Sequence, residues 1–206
     1  AYTFETLQDA IDYAKDGETI VLINDVKLSE ILVIEKAITL DGNGHTLTST
    51  AGRAINVSGA NGVAIKNLTI NASGERAINI IQGATNITIE NVAASAANYA
   101  VNVAGSAAEA VIVIKGSELT GLNTINIAAE NTNVTIENTT ITNNDQSDVE
   151  NYAAIALSVT AKGSKVTATD TVVNVKGGSS KAKINCENGT ITINGSTEEV
   201  VQDVAY

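Results

Sequence analysis

At 206 residues the chain suits one domain with a substantial core, yet it has no Pro, Met or Trp, a single Phe and only 3% aromatic residues. A formal net charge of -11 counts against a nucleic-acid partner, whose phosphates would be repelled. No run of about 18 apolar residues exists to span a membrane, and the single Cys rules out an internal disulfide.

The absence of an initiating Met and of a signal sequence suggests a mature fragment or a segment prepared for expression. The surplus of Ala, Ile, Val, Thr and Asn suits a narrow core built from many short strands, because small and β-branched side chains pack well on pleated surfaces.

The first predicted element is a helix over Thr3 to Lys15. Thr3 is the expected cap, Phe4, Leu7, Ile11 and Ala14 fall on one face, and Gly17 ends it. Residues 1–17 then serve as a cap over the open apolar end of the strand region that begins at Glu18.

From Glu18 the pattern changes to strands of three to five residues. NGVAIKNLTI (Asn61 to Ile70) reads as a short strand, one turn residue and a second short strand. The same unit returns as AITLDG (Ala37 to Gly42), NITIENV (Asn86 to Val92) and VIVIKGSEL (Val111 to Leu119), then as NVTIENTTI (Asn133 to Ile141), KVTATDTV (Lys165 to Val172) and TITING (Thr190 to Gly195). Its turn column holds Asn24, Gly42, Asn67, Asn91, Gly116, Asn138, Asp170 and Gly195, all residue types that tolerate a left-handed backbone.

A third strand type, AINV (Ala54 to Val57), recurs as AINI, AVNV, TINI, AIAL and KINC, the last at Lys183 to Cys186. Ile55, Ile78, Val101 and Ile125 succeed one another at intervals of 23, 23 and 24. A fixed period of roughly 20 to 50 residues marks a solenoid. Three strands per coil predict an all-β fold, a three-faced parallel β-helix with an N-terminal capping α-helix. Residues 18–195 supply about seven coils, and 196–206 a C-terminal tail or cap. At about 4.8 Å per coil the stack is about 30 to 35 Å long. Later coils are longer, and the first excess falls in TNNDQSDVENYA (Thr142 to Ala153), a predicted surface loop.

With the one-residue turn, three strands and capping helix in place, the chain resembles the right-handed parallel β-helix of the pectin-lyase-like superfamily. Its opening, TFETLQDAIDYAKDGETIVL and then ITLDGNGHTL, is similar to the N-terminal cap and first coil of bacterial cell-surface repeat proteins. The resemblance implies a fold and leaves function open, since the superfamily holds lyases, hydrolases, epimerases, phage tailspikes and adhesins. It also implies that AINI is the first strand of its coil, and that the long loop borders the cleft where family enzymes bind polysaccharide.

The outward middles of that first strand are Asn56, Asn79, Asn102, Asn126, Ala156 and Asn185. Such a row is either an amide ladder, each side chain bonded to its copy one coil away, or a flat array of donors and acceptors for sugar hydroxyls. Pectate-lyase-like members resemble one another in placing acidic calcium ligands on this face, and here it carries amides. No pair of opposed carboxylates, as glycosidase chemistry requires, recurs on these strands.

Arg53 and Arg76 fall in one column with Tyr99, close to Asn123 and Tyr152. Stacked guanidinium groups beside a tyrosine suit a carboxylated glycan, and equally suit solvated edge charges. On the long loop, Asp145, Asp148 and Glu150 are candidate Ca²⁺ ligands through their oxygens, but their spacing matches no calcium-loop motif and a solvated acidic loop is the simpler reading.

His45, the only histidine, reads as a turn residue without an acid–base partner, and Cys186 as core. Outward Thr39, Thr88, Thr135, Thr167 and Thr192 are explained by β-propensity. The sequence thus favours a non-enzymatic extracellular or cell-surface module, bacterial in type by resemblance. It is adhesin-like or stalk-like, with a glycan or surface partner on the first-strand face. A polysaccharide-active enzyme and a pure spacer are the alternatives.

Overall fold

The computed structural model describes residues 2–144 and 152–198. They form a parallel β-solenoid of short strands preceded by one helix. Three ladders of parallel strands run along the stack. The first contains Leu32–Ile34, Arg53–Ser58, Arg76–Ile81, Tyr99–Val103, Ile125–Ile127, Ala153–Leu157 and Ser180–Ile184. The second holds the strands that precede the repeated turn, from Thr19–Val21 to Thr190–Ile193, and the third those on its far side. In Ala64–Ala72 and Ile87–Ser95 the strand runs straight through the turn residue, which joins the second and third ladders into one 14-stranded sheet.

The registers explain the periodic core. Ile55 pairs with Ile78, Ile78 with Val101, Val101 with Ile125 and Ile125 with Ile155. Leu40, Ile65, Ile89, Ile114 and Ile136 form the matching column of the second ladder. All of these side chains are buried in a single apolar cluster that runs the length of the stack. Each coil therefore closes its core by stacking on the next, which is why a chain with almost no large aromatic side chains can do so.

The turn column separates into two groups. Asn67, Asn91, Gly116, Asn138, Asp170 and Gly195 have φ between 45° and 84°, the left-handed region. Asn24 and Gly42 do not, which corrects the expectation for the first two coils. Gly42 lies where an added Cβ would meet the Asn67 carbonyl oxygen at 2.5 Å and the Leu68 Cα at 2.7 Å. Close approach requires glycine there, and the left-handed residues are Asn43 and Gly44 instead.

The cap is shorter than its sequence suggests. The helix is Leu7–Tyr13, and its N-cap is Thr6, whose hydroxyl accepts from the Asp9 N–H at 3.1 Å. Thr3 and Phe4 precede it. The reason is local: Thr6 and Asp9 bond reciprocally across one turn, the Thr6 hydroxyl donating to Asp9 Oδ2 at 2.6 Å. Leu7 and Ile11 are buried against the first coil.

Two polar side chains complete the join. Gln8 donates to the Val33 carbonyl and accepts from its N–H, at 3.0 and 2.9 Å, so one amide side chain substitutes for a neighbouring strand. Lys36 Nζ donates to the carbonyls of Ile11, Asp12 and Ala14 at the helix C-terminus, where cations are favoured.

The last coil also departs from expectation. Ala156 pairs with Lys183 and Leu157 with Ile184, so the strand is Ser180–Ile184 rather than Lys183 to Cys186. A shift of two residues keeps every side chain on its own face, so alternation alone cannot detect it. Cys186 lies beyond the strand, is buried, and directs Sγ at the Ala161 carbonyl, 3.1 Å away. Burial raises its thiol pKa, which keeps it protonated and inert. Near the other end of the described chain, Ser196–Thr197 folds back antiparallel on Thr190–Ile193.

Asn67 tests the turn column directly. Replacing Asn67 by Ala forces a Cβ-bearing residue without a local polar group into the left-handed region and removes two side-chain hydrogen bonds. Urea unfolding should show a loss of about 1 to 3 kcal/mol, with Asn67→Gly less damaging than Asn67→Ala. Equal stability of all three proteins would contradict a conformational role for this column.

Candidate functional site

The outward face of the first ladder is an amide stack. Asn79 Nδ2 donates to Asn56 Oδ1 at 2.9 Å, Asn102 to Asn79 at 2.8 Å and Asn126 to Asn102 at 2.8 Å. In-register pairing brings each amide beside its copy, so the donor of one coil meets the acceptor of the previous one. Asn79 and Asn102 retain only 2% and 3% exposure. Their polar groups are turned along the stack, and only Asn56 and Asn126 at its two ends are half-exposed. The column ends where Ala156 succeeds Asn126 in the register. Lys183, not Asn185, stands beside Ala156.

At one margin of this stack lie Arg53, Arg76 and Tyr99, which occupy one register column as the opening residues of three successive strands. Arg76 is held on several sides. Its Nη1 donates to Asn79 Oδ1 at 3.2 Å, its Cζ lies 5.5 Å from the centroid of the Tyr99 ring, and Glu75 Oε2 stands 3.8 Å from Nε. That Nε is buried and makes no hydrogen bond. The Arg53 side chain is half-buried and makes no hydrogen bond or ion pair with any described residue. Asn123 serves the backbone, accepting from the Ala153 N–H at 3.0 Å.

The repeated turn carries a second polar relay, whose members the repeat pattern places but does not connect. Asn91 Nδ2 donates to Asn67 Oδ1 at 2.9 Å, and Asn67 Nδ2 to Asp41 Oδ1 at 3.0 Å. An open groove runs beside it, lined among others by Asp41, Asn67, Thr69, Asn91 and Glu118.

Immediately before the turn, Asp41, Lys66, Glu90, Lys115 and Glu137 form one column of alternating charge. Glu90 sits between two ammonium groups, at 3.2 Å from both Lys66 and Lys115. The hydrogen bonds from Lys66 and Lys115 hold its carboxyl pKa below the ordinary 4.5. This signal was present in the sequence, one position before the turn residue in each repeat.

Just after the turn, the buried hydroxyls of Ser117, Thr139 and Thr171 bridge back over it. Each donates to the carbonyl two residues earlier, at 2.9 Å. Ser117 Oγ also accepts the Val92 N–H of the preceding coil at 3.2 Å, and Thr139 Oγ1 that of Ser117 at 3.3 Å. These polar groups satisfy the backbone where the strand bends.

His45 does have a partner, contrary to the expectation from sequence. Its Nδ1 lies 3.3 Å from Asp25 Oδ1, and the same carboxylate oxygen accepts from the Thr46 N–H at 2.9 Å. The Thr46 N–H, and after it His45, lowers the Asp25 pKa. Asp25 belongs to the previous coil, and only the coil-to-coil register brings it to His45. The candidate metal ligands Asp145, Asp148 and Glu150 lie outside the described residues. Among the described residues no cluster of three or more His, Cys, Asp or Glu is placed to hold a metal, and no helix is long and apolar enough to cross a membrane.

The chain matches no family model, no curated protein and no solved structure.

Two measurements separate these columns. Asn79→Ala leaves the Asn102 amide donor, the Arg76 guanidinium donor and the Asn56 acceptor without their partner. Denaturant unfolding should show a loss of about 1 to 3 kcal/mol, whereas a stack irrelevant to folding would leave stability unchanged.

Glu90→Gln removes the central charge of the alternating column. Because the Glu90 pKa is lowered on folding, the wild-type advantage should be present above pH 4.5 and fade as pH falls through the depressed value. The side chain is 34% exposed, so the difference at pH 7 should stay below about 1 kcal/mol. A difference that persists unchanged at pH 2 would point to packing rather than charge.

Proposed function

We propose that this chain is a non-enzymatic module of an extracellular bacterial surface protein, a rigid stalk or adhesin-like segment built as a right-handed, three-faced β-helix of the pectin-lyase-like type. The observation that carries this reading is where the polar side chains are spent. The Asn56 to Asn126 stack, the Asn91–Asn67–Asp41 relay and the Lys66–Glu90–Lys115 column bond along the solenoid, from coil to coil. Each adds a cross-link between neighbouring coils, and none brings opposed carboxylates to a common point, as glycoside cleavage requires. The Asn face suits stacking better than sugar binding, because its central amides are buried and already paired.

The extracellular, bacterial placement comes from the resemblance of the capping segment and first coil to surface repeat proteins. An acidic exterior fits a module that stays dispersed in solution. No cofactor enters this reading.

Antibodies raised against the purified chain should label intact cells of the source organism without permeabilisation. The same purified chain should release no new reducing ends from neutral or acidic polysaccharides, with or without calcium. Labelling confined to permeabilised cells would refute the surface placement, and release of reducing ends would replace the stalk by an enzyme.

A further inference from the structure

The chain contains only two arginines among its 12 basic residues, and the register places them side by side. Parallel strands bring paired residues to about 4.8 Å along the stack, where like charges are destabilising. The second ladder shows how this fold otherwise arranges charge: Asp41, Lys66, Glu90, Lys115 and Glu137 alternate in sign without a break. Arg53 next to Arg76 breaks that rule. No acidic residue takes up the mismatch at Arg53, which has no partner among the described residues.

The two guanidinium groups are also prepared differently. Arg76 is oriented by the Tyr99 ring and by Asn79 Oδ1, while its Nε is buried and unsatisfied. An unsatisfied buried donor on an ionised group is costly, and the Glu75 carboxylate stays 3.8 Å from it. Arg53, one coil away, is free to close over whatever Arg76 holds. A held cation with an unused donor beside a free cation of the same sign is an arrangement that an oxyanion completes. It would offset the repulsion and accept charge-assisted hydrogen bonds from both forks.

We propose that Arg53 and Arg76 form an oxyanion site that takes the carboxylate or sulfate group of an anionic glycan. The half-exposed Asn56 amide lies three residues along the strand from Arg53 and offers a donor and an acceptor to neighbouring sugar hydroxyls. This inference rests on the surface-module reading and gives it a ligand class. It moves the contact from the buried centre of the Asn stack to its arginine margin.

Affinity electrophoresis of the intact chain through gels containing hyaluronan, chondroitin sulfate or neutral dextran provides the test. The chain carries a net charge of -11, so diffuse electrostatics oppose retention by any polyanion. Retardation by hyaluronan assigns a carboxylate, and retardation by chondroitin sulfate alone assigns a sulfate. Arg53→Gln and Arg76→Gln should each weaken the retardation about tenfold, while Lys165→Gln, on a different ladder, should leave it unchanged.

Arg53→Gln should also keep or raise the melting temperature, since it relieves a like-charge contact. It therefore reads the site even if Arg76→Gln proves unstable. No retardation by either anionic polymer would overturn the proposal, as would equal loss in Lys165→Gln or undiminished binding by Arg53→Gln. Retardation by poly-glutamate as strong as by the glycans would overturn the glycan assignment. None of these results bears on surface labelling or polysaccharide cleavage, so this site and the stalk can fail separately.

Discussion

One constraint governs this molecule: the strand residues of each coil lie next to their counterparts in the neighbouring coils. In-register parallel pairing turns the sequence into columns, and a column persists only if its members tolerate one another at strand spacing. Aliphatic columns do so by packing, as in the run from Leu40 to Ile136. Amide columns do so because each Asn side chain is both donor and acceptor. Charged columns do so only when the sign alternates. The same rule that builds the core therefore also arranges the exterior.

That rule accounts for the composition. Large aromatic side chains are hard to repeat in a narrow stack, so the core is made of Ile, Val, Leu and Ala. Beyond the first two coils the bend between the second and third ladders takes a left-handed residue, and Asn, Asp or Gly provide it at Asn67, Asn91, Gly116, Asn138, Asp170 and Gly195. Ser117, Thr139 and Thr171 then bridge the carbonyls and amides that the bend leaves unpaired. Aligned polar columns and satisfied turns are thus two parts of one solution.

Much of this was legible in the sequence, because periodicity is a property of the sequence itself. The Asn turn residues, the inward Ile column and the Asn face all recur at nearly constant spacing. What was hidden depends on register or on local competition. The pairing of Ala156 with Lys183 differs from the expected alignment by two residues, a shift that alternation cannot see. Asp25 reaches His45 only through the stacking of one coil on the next. Thr6 displaces Thr3 as the cap because Asp9 stands at the right offset to bond with it. Gly42 sits in a column of left-handed residues for a different reason, the closeness of Asn67 and Leu68. The alternating charges from Asp41 to Glu137 were readable in principle, one position away from the more conspicuous turn column.

The same reasoning bears on where function resides in such a fold. Active sites in globular proteins bring distant residues to a point, whereas a solenoid spreads equivalent residues along a line. When a column's side chains are matched to one another, as Asn56 to Asn126 are, their interactions are already used in holding the coils together. A partner gains most where the column is mismatched, because there the fold itself leaves charge and hydrogen-bonding capacity unused. Arg53 and Arg76 are such a place, with repulsion between neighbours and an unsatisfied Nε side by side. In a stack of self-compatible columns, a break in compatibility is the feature that needs a reason outside the fold.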